Sequence, residues 1–499
     1  MAKFIGIDLG TTFSAAATVD VEGRPVIVRD SEGNNIIPSC VVVDGDTIEV
    51  GAHALDTWES SPEKGASRFK RIMGTTNKTI NLSGKEFTPT ELSSFVLKKI
   101  VKEVESQIGE IEEAVVTIPA NFAHEAREAT MLAAKKAGLK IKNIINEPTA
   151  AALYYAYKTG EDLDGIYAVF DLGGGTFDVS IIQAHGKNVE VLSSDGVSRL
   201  GGDDFDKAVI DLLCEKYKAI SGNDLDPKEI SLVQAEKAKK HLTIKETTKQ
   251  KINGISVEVS RNDFQEKIKS LLAQIELLCE SALDEAKIQT SQLKGIFLAG
   301  GSTRVPAIKE VVTKVFGKEP TSTANVDEVV ALGAAIYATY RADRTKLSPG
   351  QKESVEKIKI SETTNKCFGT ITLTRDAARD DIVLKNTTLI PKGHKIPCSV
   401  TQSFYTTHEG QTGVNCKVTE SSTIETDPKF VKIIWEGNLE LPPNRPEGQK
   451  IDVTFSYDEN QIMQCSFVDV ATGKKTSVDL TMVSTENFDD NKIDKFLVE

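Results

Sequence analysis

One pattern occurs twice in this 499-residue chain and limits what it can fold into. Ile7-Asp8-Leu9-Gly10-Thr11-Thr12-Phe13-Ser14 and Phe170-Asp171-Leu172-Gly173-Gly174-Gly175-Thr176-Phe177-Asp178 each join an apolar strand to an Asp, a Gly/Thr turn and a return strand. Two like hairpins in one α/β region predict two related lobes facing a cleft. Glycine permits a tight turn and lets backbone N–H groups approach oxygens closely. Thr11, Thr12 and Thr176 add hydroxyl donors, so the chemistry is that of phosphate binding. Asp8 and Asp171 would repel a bare phosphate and therefore imply an intervening Mg²⁺, which keeps several waters and meets carboxylates through them. A single such turn reads equally well as an ordinary β-turn, since Asp and Gly dominate turns. The repetition favours the phosphate reading. Neither copy is a Walker A loop, and neither completes G-x-G-x-x-G ahead of a helix. Leu298-Ala299-Gly300-Gly301-Ser302-Thr303-Arg304-Val305-Pro306 is a third glycine-rich turn leaving a strand.

A prior of one domain per ~150 residues suggests about three units. Residues 1–346 alternate short apolar runs, such as Ala114–Ile118 and Gly295–Leu298, with amphipathic segments, an α/β pattern. Thr88-Pro89-Thr90-Glu91 is a capping box with Pro at the first helical position. Leu347–Glu353 combines Pro, Gly and charge and predicts a linker over 347–362. From about 363 to 499 helical periodicity is lost. Ile451, Val453, Phe455 and Tyr457 alternate with polar residues, and turns follow at Asp458 and Gly473, which predicts a β-sandwich.

The formal charge of −13, from 60 basic and 73 acidic residues, argues against a nucleic acid as main ligand, since no basic stripe stands out. The longest apolar stretch, near Val329–Ala338, is too short to span a bilayer. The first residues run into a strand pattern with no signal-peptide core, so the expected location is cytoplasmic. Seven cysteines without C-x-x-C spacing read as reduced, buried thiols.

The three loops in this order resemble the actin/hexokinase/heat-shock ATPase superfamily. Their wording, with Ile145-Asn146-Glu147-Pro148-Thr149-Ala150, Val116–Phe122, Leu200–Asp206 and Asn325-Val326-Asp327-Glu328, is similar to the DnaK or seventy-kilodalton heat-shock chaperones. The resemblance implies a two-lobed actin-like ATPase domain followed by a β-sandwich, with ATP or ADP, Mg²⁺ and potassium as cofactors. Gly10, Thr11, Thr12 and Phe13 match the first phosphate loop, and Gly173, Gly174, Gly175 and Thr176 the second. Asp8 and Asp171, with Asp178 beside them, match the carboxylates that organise the metal. These three with Thr176 match positions that hold potassium in relatives. Lys70 matches the lysine that positions the γ-phosphate and attacking water, although by residue type alone it would be a solvated surface lysine. Glu147 takes part at the nucleotide site. Glu236, Lys239, Lys240 and Thr243 fall on the helix at the adenosine side, with Gly202, Gly300, Gly301, Ser302, Arg304 and Asp327 bordering the nucleotide. Pro119 and Arg127 match a segment that relays nucleotide state.

Two departures mark this chain. Relatives have an aliphatic linker, whereas Ser354–Glu362 alternates charge with apolar residues, so it is expected to stay solvated and to couple the domains weakly. No segment of these 499 residues matches the family's helical lid, so a lidless member is expected. The resemblance implies a slow ATPase and molecular chaperone acting on unfolded or nascent polypeptide with a J-domain co-chaperone and a nucleotide exchange factor. The alternative is a nucleotide-binding subunit that partners a J-domain protein at the ribosome, as in Ssz-type relatives. Phe404, Tyr405 and Trp435 read as core or strand-face residues rather than ligand contacts.

Overall fold

The computed structural model describes residues 3–499 apart from 76–77, 161–162, 322–323, 377–380, 459–461 and 481–492. These residues divide into two compact units. One holds the chain up to Ile360 together with the segment from Ile493 onward, and the other begins at Ser361.

Both predicted hairpins form, and each sits in a sheet of the same plan. In the first, Phe4–Asp8 runs antiparallel to Phe13–Val19 and parallel to Glu113–Ile118. In the second, Asp164–Leu172 runs antiparallel to Phe177–His185 and parallel to Leu293–Ala299. A further antiparallel strand extends each hairpin, Pro25–Val28 in one and Asn188–Val197 in the other. The sequence echo is thus a duplicated strand arrangement, and it brings Asp8 and Asp171 to equivalent strand ends.

Strands of both sheets meet the helices Glu147–Thr159 and Val329–Arg341 in one core. The second helix is buried almost all round, which explains its unbroken apolar sequence. Small residues permit the close approach. A Cβ on Gly333 would lie 1.7 Å from the Ala150 carbonyl oxygen, and one on Gly6 would lie 2.1 Å from the Ala335 nitrogen. Among the described residues no helix is long and apolar enough to cross a membrane.

The predicted linker is corrected. Pro349–Val355 is a helix with a capping box, in which Gln351 N donates to Ser348 Oγ (3.1 Å) and Ser348 N to Gln351 Oε1 (2.9 Å). Ser348 Oγ donates to the Val21 carbonyl and Gln351 Nε2 to that of Val19. Val355 and Ile358 enter the core of the first unit, while Glu356, Lys357 and Lys359 face solvent. The charged alternation is therefore a one-sided docking pattern rather than a solvated tether, and the unit boundary lies at Ile360 instead of 346. The expectation of weak coupling loses its premise.

In the second unit, two antiparallel four-stranded sheets enclose one core. Asp381–Ile390, Cys367–Asp376, Gly413–Ser421 and Lys432–Glu440 form one sheet, and Cys398–Tyr405, Lys450–Tyr457, Met463–Asp469 and Lys475–Asp479 the other. Ile451, Val453, Phe455 and Tyr457 all point into that core, as their alternation requires. The expected extent, 363–499, is corrected at its far end: Ile493 and the strand Leu497–Val498 pack on the first unit.

Candidate nucleotide site

A cavity of about 370 Å³ opens between the two hairpins, within the size range of small-molecule sites. It is lined by Asp8, Gly10, Thr11, Thr12 and Phe13 from one lobe and by Asp171, Gly173, Gly174 and Thr176 from the other. Lys70, Glu147, Gly202, Glu236, Lys239, Lys240, Thr243, Gly300, Gly301, Ser302, Arg304 and Asp327 also line it. Of the residues singled out from the sequence, Gly175 and Asp178 stand behind this wall rather than in it. Asp178 is buried and accepts from the Asn121 amide (3.1 Å). A Cβ on Gly175 would meet Thr11 Oγ1 at 2.6 Å, and one on Gly174 would meet Thr12 Oγ1 at 2.5 Å, so the two turns touch only because both are glycine.

The second turn is stitched to its neighbours. The Gly173 carbonyl accepts from Gly202 N (3.0 Å) and Ser302 Oγ (2.8 Å), and the Gly174 carbonyl accepts from Asp203 N (2.8 Å). Gly300 holds φ at +81°, and a Cβ there would lie 2.3 Å from the Leu172 carbonyl oxygen. Three segments far apart in sequence are thereby held at one point.

Lys70 is not a surface lysine. It lies in the short turn Phe69–Ile72, is 3% exposed, and its Nζ donates to Glu147 Oε1 at 2.7 Å. Around it stand the buried Asp171, Asp178 and Glu147 and the part-buried Asp8, whose Oδ1 accepts from Thr117 Oγ1 (3.1 Å). Four carboxyl groups thus share one ammonium. Burial and the neighbouring Glu147 push Asp8 up to about 7 and Asp178 up to about 8, with Lys70 opposing in both. Asp171 is raised by burial and by Glu147, Asp178 and Asp8. Such a cluster favours a cation from solution. Among the described residues no three His, Cys, Asp or Glu side chains converge to ligate a metal directly. Carboxylates set in this way suit a hydrated Mg²⁺ met through its waters.

On the side expected to face the adenosine, Lys239 Nζ pairs with Asp206 Oδ1 (2.8 Å) and donates to the Gly202 carbonyl (3.0 Å). Lys240 pairs with Glu236 (2.8 Å), and its Nζ lies 5.3 Å from the centre of the Phe13 ring across the cleft. Burial opposes ionisation of Glu236, but Lys240, Lys239 and Arg68 outweigh it and hold the carboxyl below its usual range. Arg304 is committed to Asp327 and Asn325.

One group of residues was missed in the sequence. Arg68, at φ +64°, donates from Nε to Asp203 Oδ1 (2.6 Å), and Arg71 NH2 donates to Asp204 Oδ2 (2.8 Å). Both arginines leave the first lobe and reach the acidic first turn of the helix Gly202–Ser221 in the second, bridging the two lobes. The only trace in the sequence is the basic cluster around Lys70 and the acidic pair after Gly202. Arg127, expected in a relay, is buried and donates to the carbonyls of Phe122 and Ala120 (3.2 Å each). Its NH2 lies 3.5 Å from Asn146 Oδ1, beside Glu147.

Two duplicated, carboxylate-bearing turns closing on one cavity, with a buried lysine between them, define a two-lobed α/β protein of the actin-like class. The family model for Hsp70 protein matches residues 4–81 and 75–499. The chain belongs to the Hsp70 family, whose members are ATPases of the chaperone type.

Proposed function

We propose that this chain binds Mg-ATP in the cavity between the hairpins, hydrolyses it slowly, and uses the second unit to hold exposed apolar segments of unfolded or nascent polypeptide. The observation that carries the reading is the buried Lys70–Glu147 pair set among Asp8, Asp171 and Asp178 at the meeting point of both turns. Gly10–Phe13 and Gly173–Thr176 bring backbone and hydroxyl donors to phosphate oxygens. Mg²⁺, when bound, would neutralise phosphate charge and polarise the transferring group. Asp8 and Asp171 would hold it through water. Lys70 stabilises negative charge as it develops, and Glu147 fixes the position of the Lys70 ammonium. Thr176 adds a buried hydroxyl to the phosphate side. Glu236, Lys239 and Lys240 with Gly301, Ser302 and Arg304 would hold the nucleoside.

For polypeptide binding, the support is a groove of about 530 Å³ in the second unit, lined in part by Leu373, Leu384, Phe404, Tyr405 and Ile433. Leu384 and Tyr405 are each 60% exposed. Tyr405 lies exposed at the end of its strand, whereas Phe404 and Trp435 pack against the core. Family membership supports a J-domain co-chaperone and an exchange factor as partners.

The test is calorimetric titration with Mg-ATP and Mg-ADP, with phosphate release measured in parallel. No binding of either nucleotide overturns the proposal. For the groove, Leu384→Asp, at an exposed position, should weaken binding of a labelled apolar peptide at least tenfold and leave nucleotide affinity unchanged. Equal peptide affinity would remove the groove from the reading.

A further inference from the structure

The strand Thr47–Val50 pairs with Cys40–Asp44 on one side, and Cys40–Asp44 pairs in turn with Gly65–Ser67. The other side of Thr47–Val50 would be an open edge, a row of unpaired N–H and C=O groups of the kind that recruits extended chain. Here it is taken. Leu497–Val498 lies parallel to it, with Leu497 opposite Thr47 and Val498 opposite Ile48. Leu497 N donates to the Asp46 carbonyl (3.0 Å), Glu499 N to that of Ile48 (2.9 Å), and Val50 N to the Glu499 carbonyl oxygen (3.3 Å).

Side chains supply selectivity around this ladder. Ile493 is 1% exposed and belongs to the core that contains Phe87 and Phe95. The Phe496 ring lies 5.7 Å from Phe87 and 5.8 Å from Phe95, edge-on to the latter, with Lys85 Nζ 4.7 Å from its centre. Both geometries are favourable for aromatic rings. Lys98 pairs with Asp494 (2.9 Å), and Lys102 Nζ donates to the Val498 carbonyl (3.2 Å). Leu497 itself faces out, 61% exposed. The contacts therefore select an aliphatic residue, an acid, and an aromatic three positions after the aliphatic one, running into an extended strand.

We infer that the Thr47–Val50 edge with its Phe87–Phe95 floor is a peptide-binding site, separate from the nucleotide cleft and from the groove of the second unit, and that its resident ligand is this chain's own segment Ile493–Glu499. Strand addition to a sheet edge, with main-chain hydrogen bonds giving affinity and side-chain seats giving specificity, is a general mode of peptide recognition. The segment follows the second unit in sequence yet binds the first. Covalent linkage gives the segment an effective concentration of about millimolar, so a free peptide of the same sequence cannot displace it from the intact chain.

The experiment uses the full-length protein and a fluorescent peptide with the sequence of residues 491–499. Phe496→Ala should loosen the tethered segment and expose the site. The variant should then bind the peptide at least tenfold more tightly than the wild type does. Equal binding to both proteins, or binding to neither, overturns the inference. Hydrogen exchange on the wild type gives a second reading that does not depend on the variant. The amides of Val50, Leu497 and Glu499 should exchange at least a hundredfold more slowly than in a free peptide. Free-peptide rates at Leu497 and Glu499 would overturn the inference irrespective of the binding result.

Discussion

Truncation of Lys70 to Ala separates two things that this side chain does. Its Nζ lies within a group of four carboxyls and bonds Glu147 at 2.7 Å with almost no exposure. Removing one partner of such a buried pair usually costs about 3–5 kcal/mol. At ~2.1 cal mol⁻¹ K⁻¹ per residue over roughly 360 residues, that corresponds to a fall in Tm of about 4–7 °C for the nucleotide-free protein. Turnover should fall further than binding. A cation that acts where charge develops contributes mainly to the transition state, and losing a donor of this kind typically costs ~10²–10³ in kcat. Nucleotide affinity should stay within about threefold, since uniform binding is not what is lost. The double variant Lys70→Ala/Glu147→Gln discriminates between the two effects. It also removes the charge of the carboxylate that Lys70 bonds directly, so Tm should recover part of the loss while turnover stays low. The assays are single-turnover hydrolysis of radiolabelled ATP, nucleotide titration and thermal unfolding on each protein. Turnover of Lys70→Ala within about threefold of wild type would refute the catalytic assignment and leave Lys70 as the structural partner of Glu147. An unchanged Tm would refute the burial argument.

Three other perturbations test the site. Asp178 is raised to about 8, chiefly by burial and by Glu147. Its folded form therefore holds a proton that the unfolded chain has released, and its stabilising contribution declines as pH rises from its unfolded value toward 8. Between roughly pH 5 and 7, wild-type stability minus that of Asp178→Asn should fall by about 1.4 kcal/mol per pH unit in metal-free denaturant titrations; a flat difference means the carboxyl is ionised in the fold. Gly300→Ala forces a side chain onto the Leu172 carbonyl at positive φ, a strain of about 1–3 kcal/mol, and should weaken ADP binding roughly 10- to 100-fold by calorimetry. Arg71→Ala removes a charge-assisted bond across the cleft to Asp204, of a kind worth about 1.5–3 kcal/mol. Stopped-flow release of a fluorescent ADP should quicken about tenfold or more, and an unchanged rate would mean the bridge does not hold the cleft closed.

Much of this molecule is written locally. The Asp-Gly-Thr hairpins, the capping box at Thr88–Glu91 and the alternation from Ile451 to Tyr457 are consequences of short-range sterics, hydrogen bonding and hydrophobic period, and each is found where its residues place it. The duplication itself was also legible, and it forms as two hairpins of the same plan. Tertiary structure decided everything that depends on which groups meet. Lys70 looks solvated in its basic cluster and becomes buried only because Glu147 is brought against it from a helix of its own. Arg68 and Arg71 acquire a purpose when the helix after Gly202 faces them. The charged stretch after Leu347 reads as a linker until Val355 and Ile358 find apolar seats on one side of it. Ile493–Glu499 carries no strand signal strong enough to read, since its partner edge lies at Thr47–Val50 near the other end of the chain. Periodicity and turn chemistry are properties of neighbours in sequence. The state of a charge and the pairing of a strand edge are set by groups that only a closed chain brings together.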